Sequence, residues 1–151
     1  MESLHYLLMK THTTLHRVLV NQAASLGLSS GQPKILEYLL KYGESNQKNI
    51  ASYCEIEQTT VGSILLRMEK AGLIVRKQHD GNRRSLFVSL TDKGNKIAED
   101  MKLMFTKTDD EAAKYLSENE QEQLRVLLEK VQLSVMELED NKKEGIVNGN
   151  K

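Results

Sequence analysis

The sequence predicts a mainly α fold carrying one small β-hairpin, and three observations lead there. Apolar residues recur at helical spacing over most of the 151-residue chain. A helix, tight turn, helix pattern occupies the middle. Directly after it, β-rich runs at Leu73 to Val75 and Leu86 to Leu90 flank the turn-forming Asp80-Gly81-Asn82. With 39% hydrophobic residues the chain can bury a core as a single domain.

The first helix is expected from Leu4 to about Ala24, where Leu4, Leu8, Leu15, Val18 and Leu19 share a face and Gly27 ends it. Ser29 and Gln32 have capping-box spacing, and Pro33 sits in a first turn where its missing N–H costs little. They open a second helix that carries Ile35, Leu36, Leu39 and Leu40 and closes at Gly43. A short third helix follows Asn46, with Ile50, Ala51 and Cys54 inward, and turns around Glu55 to Glu57. The fourth, Gln58 to Ala71, places Val61, Ile64, Leu65 and Met68 on one face and Gly72 past its end. Thr91 is the expected N-cap of a long fifth helix, and Ser117 with Glu120 opens a sixth. The stripe Leu124, Leu127, Leu128, Val131, Val135 and Leu138 on that last helix is too regular to face water.

A hairpin that follows a helix-turn-helix is a wing. The predicted architecture is therefore a winged helix-turn-helix module at about residues 29–95, within a single domain spanning 1–140. Helices at about 2–24 and 92–140 flank it, and residues 141–151 are expected to form a disordered tail.

The formal net charge is zero, but the charge is unevenly distributed. Residues 58–96 hold eight Lys or Arg against three Asp or Glu, whereas residues 97–140 hold five against twelve. A basic module adjoins an acidic helical one. The fourth helix suits a major groove, whose donors and acceptors distinguish the base pairs. Its outward residues Gln58, Thr59, Thr60 and Ser63, with Arg67 further along, can reach base edges or phosphates. Gly62, mid-helix at a cost of roughly 1 kcal/mol relative to Ala, implies close approach of DNA or of another helix. Arg83 and Arg84 follow the hairpin turn and would reach phosphates or a narrow minor groove, with His79 as a phosphate neighbour.

The run from Thr60 to Arg76 (Thr60-Val61-Gly62-Ser63-Ile64-Leu65-Leu66-Arg67-Met68-Glu69-Lys70-Ala71-Gly72-Leu73-Ile74-Val75-Arg76), then Asp80-Gly81-Asn82-Arg83-Arg84, then Val88-Ser89-Leu90-Thr91-Asp92-Lys93-Gly94, resembles the MarR family of bacterial transcription regulators. The resemblance covers nearly the whole chain. It implies a homodimer whose first, fifth and sixth helices interlock, a pseudo-palindromic duplex operator, and a repressor released by a small-molecule effector. Three positions depart from the family pattern: Asn82 replaces an acidic residue, and Gly81 and Ser63 stand where basic residues are common. A weaker phosphate grip follows.

His5, His12 and His16 form one stripe of the first helix. No carboxylate or cysteine completes a tetrahedral Zn²⁺ set on it, so no metal is expected and His12 with His16 is assigned to an effector pocket. The single cysteine excludes an internal disulfide. No phosphate loop, metalloprotease motif or nucleophile setting points to catalysis or a cofactor. Met1 to Lys10 lacks the apolar stretch of a signal peptide and no segment is apolar enough to span a membrane, so a cytoplasmic location with no membrane partner is expected. Two alternatives stand beside the DNA-binding regulator: a winged module that contacts a protein, and a thiol-based redox sensor using Cys54.

Overall fold

The computed structural model describes residues 1–79 and 82–148, with side chains described for 1–79 and 86–143. Six helices and three strands occur in the order α1 (Leu4–Ser25), α2 (Gln32–Tyr42), β1 (Ser45–Asn46), α3 (Gln47–Cys54), α4 (Gln58–Lys70), β2 (Ile74–His79), β3 (Asn82–Leu90), α5 (Asp92–Ala112) and α6 (Glu118–Asn148). The chain divides into two compact units, Met1–Asp109 and Asp110–Lys151.

The first unit holds the core. Ile35 and Leu36 of α2, Ile50 of α3, Val61, Leu65 and Met68 of α4, Ile74 and Val88 of the sheet and Met101 of α5 are all fully enclosed. These are the inward positions that the helical and alternating periods select, and each fully buried side chain contributes roughly 1.5–3 kcal/mol. Tyr38 and Tyr42 of α2 pack with Tyr53 of α3, ring centroids 5.0–5.4 Å apart, and fasten those helices together.

The helix starts follow local chemistry. Asn46 caps α3 by accepting the Asn49 N–H at 2.8 Å, and Thr91 caps α5 by accepting the Gly94 N–H at 3.0 Å. At α6 both halves of the box form: Glu120 accepts the Ser117 N–H at 2.8 Å and Ser117 accepts the Glu120 N–H at 3.3 Å. At α2 only one half forms. The Gln32 side chain accepts the Ser29 N–H, but the capping position is Gly31 at φ 82°, not Ser29. At φ 82° Gly31 takes a left-handed turn that a side chain would strain, and a Cβ there would also displace the tip of Ile64, 2.5 Å away.

The sheet has the order β1-β3-β2, all antiparallel. β1 was not expected from sequence, because two residues carry no periodicity. β2 and β3 also run further than their apolar cores, through polar residues on both arms. The turn residues Asp80 and Gly81 lie outside the described residues.

Leaving the sheet, the chain makes the tightest approach in the unit. Thr91 donates its N–H to the Leu73 carbonyl at 3.0 Å and its hydroxyl to the Gly72 carbonyl at 2.6 Å, and Lys93 donates to the Ala71 carbonyl at 2.8 Å. A Cβ on Gly94 would fall inside the Leu73 carbonyl oxygen.

In the second unit, α6 presents Leu124, Leu127, Leu128, Val135 and Leu138 as exposed residues at helical spacing. It also continues through residues 141–148, where a disordered tail was expected, because Lys142, Lys143 and Glu144 are good helix formers that extend a helix already long; residues 149–151 lie outside the described residues.

Gly94→Ala should destabilise the protein by about 3 kcal/mol or more, because backbone must move to admit the methyl. Gly27→Ala, at φ 78° with no atom within 4 Å of the added carbon, should cost only about 1–2 kcal/mol. Denaturant titration of both variants measures the difference; equal losses would remove the close-approach account.

Candidate nucleic-acid interface

The two faces of α4 separate cleanly. Val61, Ile64, Leu65 and Met68 are buried, while Gln58, Thr59, Thr60, Ser63 and Arg67 are all exposed. One rigid helix therefore displays the whole polar set expected from sequence. Its N-cap, Glu57, makes no side-chain cap bond to the N–H groups of the first turn.

Gly62 has a packing explanation. The Gln47 amide of α3 crosses it and donates to the Gln58 carbonyl at 2.9 Å, and a Cβ on Gly62 would meet that amide nitrogen at 3.1 Å. Gln47 thus ties the first helix of the pair to the start of the second. The sequence reading missed it; the mid-helix glycine was the signal.

At the other end of α4, Glu69 accepts two bonds from the Arg76 guanidinium, both 3.1 Å. The guanidinium holds the Glu69 carboxyl below its usual range, and Glu69 raises Arg76 in return. Arg76 is thereby committed to joining α4 to β2.

Arg83 and Arg84 lie on β3, where the backbone is described and their side chains are not. His79, expected beside a phosphate, instead has an intramolecular partner: its Nε2 lies 2.5 Å from Glu44 Oε1. Ser89 donates to the other Glu44 oxygen at 3.1 Å, and the His79 ring stands edge-on to Phe87 with centroids 4.1 Å apart. The His79 and Ser89 bonds, in that order, hold the Glu44 carboxyl below the usual range.

Within the first unit a cavity of about 540 Å³ opens between α1, α2 and α5. His12 and His16 line it, stacked with centroids 5.3 Å apart and planes 19° from parallel. Leu19, Ala23, Leu28 and Phe105 supply apolar wall, and Lys34, Glu37 and Asp109 supply charge. His5 lies elsewhere, against the Ser3 hydroxyl at 3.3 Å. Among the described residues no three His, Cys, Asp or Glu side chains gather as a metal site, and no helix is long and apolar enough to cross a membrane.

Cys54 is 3% exposed, and burial pushes its thiol up to about 11, with Lys34 opposing and Glu37 reinforcing. A thiol in that state is a poor nucleophile.

Comparison with known proteins follows this geometry. The model described as MarR family matches residues 28–86, from the approach to α2 into β3. The HTH-type transcriptional regulator FarR of Neisseria gonorrhoeae is 31% identical over 88 residues, 58% of each chain. The uncharacterized HTH-type transcriptional regulator YkoM of Bacillus subtilis is 31% identical over 104 residues, covering 69% of this chain and 68% of that one. Among solved structures, a putative MarR family regulator from Listeria monocytogenes complexed with a 26mer DNA superposes with TM-score 0.83 at 22% identity, covering 89% of this chain and 90% of that one.

Two outcomes test the site's chemistry. Glu69→Gln should lower stability at neutral pH by less than about 1 kcal/mol. Because the folded carboxyl lies below its unfolded value, that gap is full above the unfolded range of about 4 and should close as pH falls through the folded value; a gap that is constant with pH would contradict the pairing. Cys54 in the native chain should react with a disulfide reagent at mildly alkaline pH far more slowly than after unfolding. Equal rates would revive the redox alternative.

Proposed function

Because this chain belongs to the MarR family of HTH-type transcriptional regulators and is not an enzyme, we propose that it acts as a homodimer that reads duplex DNA with α4. The observation that carries the reading is the division of α4 into a buried face and an exposed polar face held at both ends, by Gln47 and by the Thr91–Gly94 junction. Gln58, Thr59, Thr60 and Ser63 enter the major groove with Arg67 behind them, and Arg83 or Arg84 reaches the neighbouring backbone or minor groove. The protein works in the cytoplasm as a repressor of a pseudo-palindromic operator.

The exposed stripe of α6 supports the dimer. Five exposed branched apolar residues at helical spacing, Leu124, Leu127, Leu128, Val135 and Leu138, need a cover that a second copy of the same helix supplies. The cavity beside His12 and His16 supports a small-molecule effector, since a molecule seated there would touch α1, α2 and α5 together. Recognition helices of a dimer must sit about one helical turn, roughly 34 Å, apart, so a shift of a few ångströms in α5 weakens both half-sites at once.

Salt dependence tests the reading. If the dimer neutralises about six phosphates, log K should fall against log salt with a slope near −5. A shallow slope would favour the protein-contact alternative. The double variant Arg83→Ala, Arg84→Ala should lose about tenfold or more in duplex affinity at low salt. Unchanged affinity would sink the assignment of the wing.

A further inference from the structure

The base of the wing is anchored in the body by buried Ile74 and Val88 and by the Arg76–Glu69 pair. β1 pairs with β3 only at Val88 and Phe87, through Ser45 and Asn46. Beyond Phe87, toward the tip, β3 pairs only with β2. The outer arm is thus a two-stranded ribbon, which is weakly stable alone. Among the described residues, His79, the last residue of β2, bonds across to the body at Glu44, which stands between α2 and β1, three residues ahead of Gln47. Ser89 fixes the second Glu44 oxygen, and Phe87 backs the imidazole. Among the described residues, Lys77 of β2 is the other charge whose field reaches Glu44.

We propose that Glu44 is a positioning residue for the wing: paired with His79, it holds the outer arm against the helix-turn-helix body, and imidazole protonation tightens the hold, so duplex affinity rises as pH falls toward 6. The proposal rests on the DNA-binding reading above. An unconstrained imidazole changes charge near pH 6.5, inside the physiological range. The Glu44 carboxylate, held below the usual range, stays charged throughout that interval. Above the transition a neutral hydrogen bond remains and the ion pair is lost. The arm then samples more orientations, and Arg83 and Arg84, three and two residues from Leu86, are less well placed.

A competing account has His79⁺ touching a phosphate directly, with Glu44 merely nearby. The two accounts make opposite demands on Glu44→Gln. Both partners are half-exposed, so this variant and His79→Gln should fold; circular dichroism and thermal melting check it. Affinity of the full chain for a labelled mixed-sequence duplex of about 30 base pairs is measured by fluorescence anisotropy at low salt across about pH 6 to 8. The fall in affinity over that range should be about threefold larger for the unaltered chain than for either variant, and both variants should bind more weakly at pH 6. Stronger binding by Glu44→Gln with the pH slope retained overturns the proposal in favour of direct contact. In the DNA-free chain, NMR titration of the His79 imidazole should show a lower midpoint in Glu44→Gln; an unchanged midpoint overturns the pairing. If the unaltered chain binds no duplex at any pH, the DNA reading falls and the affinity effect with it, while the NMR midpoint still judges the clamp.

Discussion

The structure depends on the junction where β3 hands over to α5. Within four residues, Thr91 to Gly94, the chain satisfies the carbonyls of Ala71, Gly72 and Leu73 that the end of α4 leaves open. It can do so only because position 94 has no side chain. The price of any side chain there is displacement of backbone, so α4 and α5 cannot rotate independently. Gln47 constrains the opposite end of α4 across Gly62, and Glu69 with Arg76 ties its last turn to β2. The exposed face of α4 therefore has one orientation relative to α5, and whatever moves α5 moves that face. The cavity wall includes Phe105 and Asp109 of the same α5, which places the proposed effector site on the element that carries the motion.

Elements with many periods were legible in the sequence. α1, α4, α5 and α6 repeat their apolar residues over several turns, and the Thr91 and Ser117 caps are local bonds between residues three apart. Features decided by tertiary contact were not. β1 exists because Ser45 and Asn46 meet Val88 and Phe87, residues some forty positions away. Gly31, at φ 82°, takes the α2 cap in place of Ser29, a left-handed turn that capping-box spacing does not reveal. The outer halves of β2 and β3 are polar, so they show no apolar alternation.

The same division runs through the site. The outward residues of α4 were readable because inward and outward positions follow from one helical period. Gln47 was not, since its role is a side-chain bond across eleven positions, yet Gly62 marked where something had to come close. His79 has a partner that the sequence did not show. Proximity to Arg83 and Arg84 in sequence suggested a phosphate, whereas the fold brings Glu44 from thirty-five positions away to meet it.

Charge counting needs a similar correction. The basic window of residues 58–96 suggests a strong field toward DNA, but several of its cations have intramolecular work. Arg76 is held by Glu69, Lys93 donates to the Ala71 carbonyl, and Lys96 lies 3.9 Å from Asp100. Charges used inside the molecule add little steering toward a phosphate backbone. In the proposed DNA-binding reading, attraction would rest on the other cations of that window, Arg67, Lys70, Lys77, Arg83 and Arg84, together with the polar groups of α4. With three of the window's eight cations engaged among the described residues, general attraction compensates less for a misplaced wing. Small devices that set the aim, the Gln47 bond and the Glu44 pair among them, weigh more here than they would in a more basic relative.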